Sequence, residues 1–137
     1  MTYYSKPIEY LKNLNKNELE ELPYLQSLIK SILSGDIKSI QIHYPLIDFI
    51  SRELELKSIL YRDYDLATGY KSGGINQLSK YQYILICFIL LSLYDLLKDL
   101  RFINTILKFY DSHKTRRSKS HLRSVYSMSI HRLKNHH

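Results

Sequence analysis

From Tyr83 to Tyr94 the chain runs twelve residues with a single polar interruption, Ser92. A segment that is apolar on every face has to be enclosed on every side, so it predicts a helix at the middle of a bundle with other helices packed around it. A membrane span is the other way to satisfy such a segment, and this one is too short. Twelve helical residues reach about 18 Å, whereas a hydrocarbon core is about 30 Å thick. Extending the segment meets Lys80 and Gln82 at one end and Asp95 and Lys98 at the other. No membrane partner is expected.

The chain has 137 residues, a size at which one domain can bury roughly two thirds of its unfolded surface. Cys87 is the only cysteine and lies inside the apolar segment, so no intramolecular disulfide is available. It reads as a small core hydrophobe in a reducing compartment. The first residues, Met1 to Pro7, carry no apolar run of signal-peptide length, and a cytoplasmic protein is expected.

Helical spacing recurs along most of the chain. Ile8, Leu11 and Leu14 mark a first helix opened by Ser5 and Pro7, and Asn17 with Glu20 is placed as a capping box for a second. Pro23 restarts the chain. Leu25, Leu28, Ile29, Ile32 and Leu33 then follow at three- and four-residue steps up to Gly35, a residue suited to end a helix. Residues 37–42 read as a short strand or as the start of the next helix, and Pro45 favours a fresh helix carrying Leu46, Ile47, Phe49, Ile50, Leu54 and Leu60. Gly69, Gly73 and Gly74 crowd a segment without apolar period, which predicts a loop over 62–75. Asn76 is placed to cap the apolar helix through Leu97. Asp99 is placed to cap another, which presents Phe102, Ile103, Ile106, Leu107 and Tyr110.

The charge is as uneven as the hydropathy. Residues 112–137 contain seven Lys or Arg and no Asp or Glu, while residues 1–111 carry thirteen of each sign. A basic segment of this kind concentrates polyanions around it, so nucleic acid or an acidic protein surface is the first partner to consider. Lys114, Arg116, Arg117, Lys119, Arg123, Arg132 and Lys134 are the candidate phosphate contacts. Ser118, Ser120, Ser124, Ser127 and Ser129 alternate with them, and Tyr126 is a candidate for stacking on a base. Leu122, Tyr126, Ile130 and Leu133 suggest that the segment is an amphipathic helix rather than an extended arm. No helix-turn-helix, zinc-finger or RNA-recognition signature points to sequence-specific readout.

Other candidates are weaker in pattern. Arg101, Asn104 and Lys108 share a helical face and could line an anion pocket, although the solvent side of an amphipathic helix has the same spacing. Tyr61, Tyr64 and Tyr70 surround the glycine-rich loop. With thirteen tyrosines and no tryptophan, they are the natural aromatic surface for a protein interface. Phe88 joins that set if part of the apolar helix stays uncovered, in which case a homodimer is expected. His113, His121 and His131 are eight and ten residues apart, which fits no common metal-ligand spacing. Lys71 among the glycines lacks the spacing of a phosphate loop. No catalytic serine or cysteine motif occurs, and Glu53 with Glu55, like Asp63 with Asp65, point apart on a helix.

The sequence thus predicts an all-α single domain of five or six helices around residues 83–94. Its charge-neutral part is 1–111 and its basic part is 112–137. The expected function is non-enzymatic binding of RNA or DNA through the basic segment, with no cofactor and no metal. The alternative is a protein-interaction module, such as an inhibitor, immunity factor or accessory subunit, that docks on an acidic partner.

Overall fold

The computed structural model describes residues 6–21, 23–66, 80–113 and 120–136, and among them it contains helices and no strand. The order is α1 (Pro7–Lys12), α2 (Lys16–Glu21), a 3-10 turn (Pro23–Leu25), α3 (Gln26–Ser34), α4 (Ile37–Ile42), α5 (Tyr44–Leu66), α6 (Lys80–Leu97), α7 (Leu100–His113) and α8 (Ser120–Lys134). The described residues therefore form eight α-helices where five or six were expected. Pro23, Gly35 and the His43–Pro45 corner cut the first third of the chain into short pieces.

Local chemistry explains most of the boundaries. Pro7 opens α1 at its first turn, where the missing N–H costs nothing. The capping box expected at Asn17 and Glu20 does not form: α2 begins at Lys16, so Asn17 is already inside it, and Glu20 pairs with exposed Lys16 at 3.9 Å. Gly35 ends α3 in the left-handed conformation with φ 72°, and its N–H reaches the carbonyls of Ser31 and Ile32. Residues 37–42 are helical rather than extended. Asp36 caps them by accepting the N–H of Lys38 at 3.1 Å. His43, half-buried, closes α4 through its own N–H to the carbonyl of Ile40.

The helix α5 runs on to Leu66, well into the segment expected as a loop from residue 62. No glycine or proline follows Pro45 until Gly69, so nothing local stops it earlier. Residues 67–75, with Tyr70 and the three glycines, lie outside the described residues, as does Asn76. Between α6 and α7 the turn is tight. Lys98 adopts φ 56° and donates its N–H to the carbonyl of Tyr94, and Asp99 then caps α7 by accepting the N–H of Arg101 at 3.0 Å.

Every residue from Tyr83 to Tyr94 is buried, none more than 6% exposed. The helix that carries them packs against α1, α3, α5, α7 and α8. Ser92 is tolerated there because its hydroxyl donates to the carbonyl of Phe88 one turn back, at 3.0 Å. Phe88 stacks on Tyr10 of α1 with ring centroids 3.9 Å apart and planes 8° from parallel, and Tyr83 stacks on Phe109 of α7. No helix among the described residues is long and apolar enough to cross a membrane.

Candidate functional site

The described helix of the basic segment, α8, lies against the bundle. α8 packs against α6 and α7, and the face it turns inward is not the one its large apolar residues suggest. Ser124, Val125 and Ser129 are buried, and Met128 packs against the core between them. Leu133 is exposed, Tyr126 and Ile130 are half-buried, and the side chain of Leu122 lies outside the described residues. Two small serines let the helix approach closely, and Ser129 satisfies its hydroxyl on the carbonyl of Val125 at 2.8 Å. The expected stripe through Leu122, Tyr126, Ile130 and Leu133 is thus rotated toward Ser124, Val125 and Ser129.

This docking divides the candidate phosphate contacts. Arg132 is the inward cation. Its Nε and Nη2 donate to the two carboxylate oxygens of Asp95 on α6 at 2.7 and 2.8 Å, and its Nη1 donates to the carbonyl of Met128 at 3.1 Å. A bidentate pair of this kind is directional and uses up most of the guanidinium fork. One face of Tyr126 is taken by Tyr110, with ring centroids 4.2 Å apart. Tyr94 adds a further tie, its hydroxyl sharing a 2.7 Å hydrogen bond with Nδ1 of His136. Arg123, Ser127, His131 and Lys134 remain exposed at steps of four, four and three along the outer side of α8. Neither Arg123 nor Lys134 forms an ion pair among the described residues. Lys114, Arg116, Arg117 and Lys119 belong to the 114–119 link between α7 and α8, outside the described residues.

The face proposed as an anion pocket is split in another way. Arg101, Asn104 and Lys108 are all exposed on α7, and of the three Arg101 alone lines the cavity between α5 and α7. The Arg101 guanidinium grips Asp99, with Nη2 2.7 Å from Oδ2, and this hydrogen bond holds the Asp99 carboxyl below its ordinary range while it raises Arg101. The cavity lies between α5 and α7. Its volume is 360 Å³, and its walls are Asp48, Ser51, Arg52 and Glu55 from α5 and Arg101, Phe102 and Thr105 from α7. Asn104 and Lys108 take no part in it.

Phe88 does not belong to an interface on the free surface. It is fully buried, as is Leu91, and Ile84 is 6% exposed, so none of these three side chains is open to a second copy. Tyr61 and Tyr64 stand on α5 with side chains outside the described residues. Among the described residues the large apolar side chains that reach solvent are, besides Leu133 of α8, Ile42, which is 77% exposed, and Tyr24, Ile37, Tyr44 and Phe49 on the neighbouring 3-10 turn, α4 and α5. Tyr24 and Phe49 meet edge to face at 6.5 Å, and burial together with the Glu53 charge raises the Tyr24 hydroxyl. Glu55 faces the α5–α7 cavity instead, so the two glutamates do point apart.

Cys87 is not placed to act as a nucleophile. It is enclosed in α6, and burial pushes its thiol far above the ordinary range. Among the described residues no group of three or more His, Cys, Asp or Glu side chains converges to hold a metal ion. Comparison with protein-family models, with curated proteins and with solved structures finds no match for this chain.

Proposed function

We propose that this chain is a non-enzymatic binding protein that contacts RNA or DNA, with weak sequence preference, through the cations of residues 114–119 and of the outer side of α8. One observation carries the reading. The helix is held by its serine face and by Arg132, which leaves Arg123 and Lys134 unpaired at solvent beside a link with four cations in six residues. Phosphate contact requires donors still free at solvent, which Arg132 lacks, with all three guanidinium nitrogens engaged by Asp95 and Met128, and which Arg123 and Lys134 keep; the proposed contact set joins those two to Lys114, Arg116, Arg117 and Lys119, assigned from the sequence. Arg132 leaves the set. Tyr126 contributes at most one ring face.

Fluorescence anisotropy on a short labelled RNA and on a duplex DNA tests this between 50 and 200 mM salt. If all six cations neutralise phosphates, affinity falls with a log-log slope of about −4 to −5. Absence of binding at the lowest salt, or a slope near zero, overturns the reading. Deleting 112–137 is a poor control, because it uncovers the surfaces of α6 and α7 that α8 packs on. Exchanging outward cations for Gln is cleaner.

A protein-interaction module, as an inhibitor, immunity factor or accessory subunit, is the second reading. The exposed apolar side chains of Tyr24, Ile42, Tyr44 and Phe49 favour it, since soluble surfaces seldom gather several large apolar groups. A partner there, a second copy of this chain included, would bind with little dependence on salt. Nucleic acid would not.

A further inference from the structure

The cavity between α5 and α7 is distinct from the basic edge, and its chemistry is of a different kind. Its 360 Å³ equals about a dozen waters at liquid density, room for a ligand of roughly that many non-hydrogen atoms. Phe102, buried, supplies an apolar floor. Around it stand two carboxylates, Asp48 and Glu55, and two guanidiniums, Arg52 and Arg101, so the formal charge of the walls sums to zero. A polyphosphate would meet two acids there, and a polyamine would meet two arginines. Only a small ligand that carries both signs is matched at each end.

The charges are also ready to receive such a ligand. Arg101 is held in place through Nε and Nη2 by Asp99, which leaves Nη1 free to donate. Exposed Arg52 forms no ion pair among the described residues. Glu55 is half-buried and likewise unpaired with any cation. The Thr105 hydroxyl lies 3.4 Å from its Oε1 but also donates to the carbonyl of Arg101 at 3.0 Å, so the carboxylate keeps acceptor capacity. Arg52 precedes Glu55 by three residues on α5 and Arg101 precedes Thr105 by four on α7, so on each helix the cation is a one-turn neighbour of the group assigned to the ammonium. An ammonium group at Glu55 and Thr105 can therefore coexist with a carboxylate reaching the Arg52 and Arg101 donors.

The geometry points to a binding site for a free amino acid, with its ammonium on Glu55, its carboxylate on Arg52 and Arg101, and its side chain against Phe102. A chain terminus of a peptide shares half of this chemistry, and capped derivatives separate the two sources. Isothermal titration calorimetry on the full chain with the twenty L-amino acids tests the assignment, followed by N-acetyl and amide forms of the best binder. The expected result is binding by at least one free amino acid. Either cap should weaken it by at least about tenfold, because each removes a charged hydrogen-bonding group. Glu55→Gln and Arg52→Gln should each lower affinity by a similar factor while far-ultraviolet circular dichroism shows the helix intact. If Glu55→Gln fails to fold, exposed Arg52→Gln decides alone. No binding at millimolar concentration overturns the proposal, as does equal binding of the capped forms or unchanged affinity in a folded Arg52→Gln. Tight binding of one capped form alone assigns the cavity to a peptide terminus and overturns it as well.

Discussion

Replacing Arg132 by Met removes the charge that joins α8 to α6 but keeps the side-chain stem. In the native protein that side chain is 15% exposed and Asp95 is 38% exposed, so the pair is partly desolvated on one side only. Hydrogen bonds to charged groups contribute roughly 1.5–3 kcal/mol, and the hydration left on Asp95 places this pair at or below the lower end, about 1–2 kcal/mol. For a chain of this length that corresponds to a melting temperature lower by about 4–8 °C. Urea and thermal unfolding followed by circular dichroism measure it. The cycle with Asp95→Asn isolates the pairwise part, expected near 1 kcal/mol. A stability change within about 0.3 kcal/mol and no coupling would show that α8 docks without this pair, and the division of the cations into inward and outward sets would lose its support.

Phe88→Ala should cost about 3–5 kcal/mol, because the ring is fully buried and stacked on Tyr10, and Phe88→Asp should not fold; a folded, monomeric Phe88→Asp by sedimentation and circular dichroism would contradict the core assignment. Asp99→Ala should lose about 1 kcal/mol at neutral pH through the missing cap of α7. Because its partner Arg101 lowers the Asp99 carboxyl in the folded state, the wild type gains this stability above the unfolded value near 4 and loses it as pH falls through the lowered one. Asp99→Ala should therefore show the shallower decline in stability below about pH 4, and an acid limb as steep as the wild type's would refute the linkage. The Cys87 thiol, buried and raised, should resist aromatic disulfide reagents until the chain unfolds; full labelling of the folded protein within minutes would place it at the surface instead.

Much of the helical pattern was legible because single residues announce it. The apolar run 83–94 demanded enclosure, Gly35 closed α3 and Asp99 opened α7. Short-range competition decided what was missed. Asn17 offered a cap for a helix from Glu18, but the helix begins two residues earlier at Lys16, and Asp36 went unnoticed because residues 37–42, half of them β-branched isoleucine, read as a strand as readily as a helix. The inward face of α8 was hidden for a deeper reason. Apolar spacing ranks Leu133 and Ile130 above two serines, whereas close helix packing rewards small residues that can satisfy their hydroxyls on the preceding turn. The partner of Arg132 lies 37 residues away, a separation that no local pattern reveals. Asp48, Ser51, Arg52 and Glu55 went unremarked beside the apolar residues of the same helix, and their meeting with Arg101 and Thr105 depends on how α5 and α7 pack.

The central claim is that the outward cations of the basic segment serve a polyanion while Arg132 serves the fold. Salt-dependent binding of a labelled RNA by three proteins tests it directly: the wild type, Arg123→Gln with Lys134→Gln, and Arg132→Met, all well below their melting temperatures. The double variant should lose about 1.4–1.8 from the magnitude of the log-log slope, two contacts at roughly 0.7–0.9 each, and Arg132→Met should keep the wild-type slope. A slope reduced by Arg132→Met and untouched by the double variant would contradict the claim.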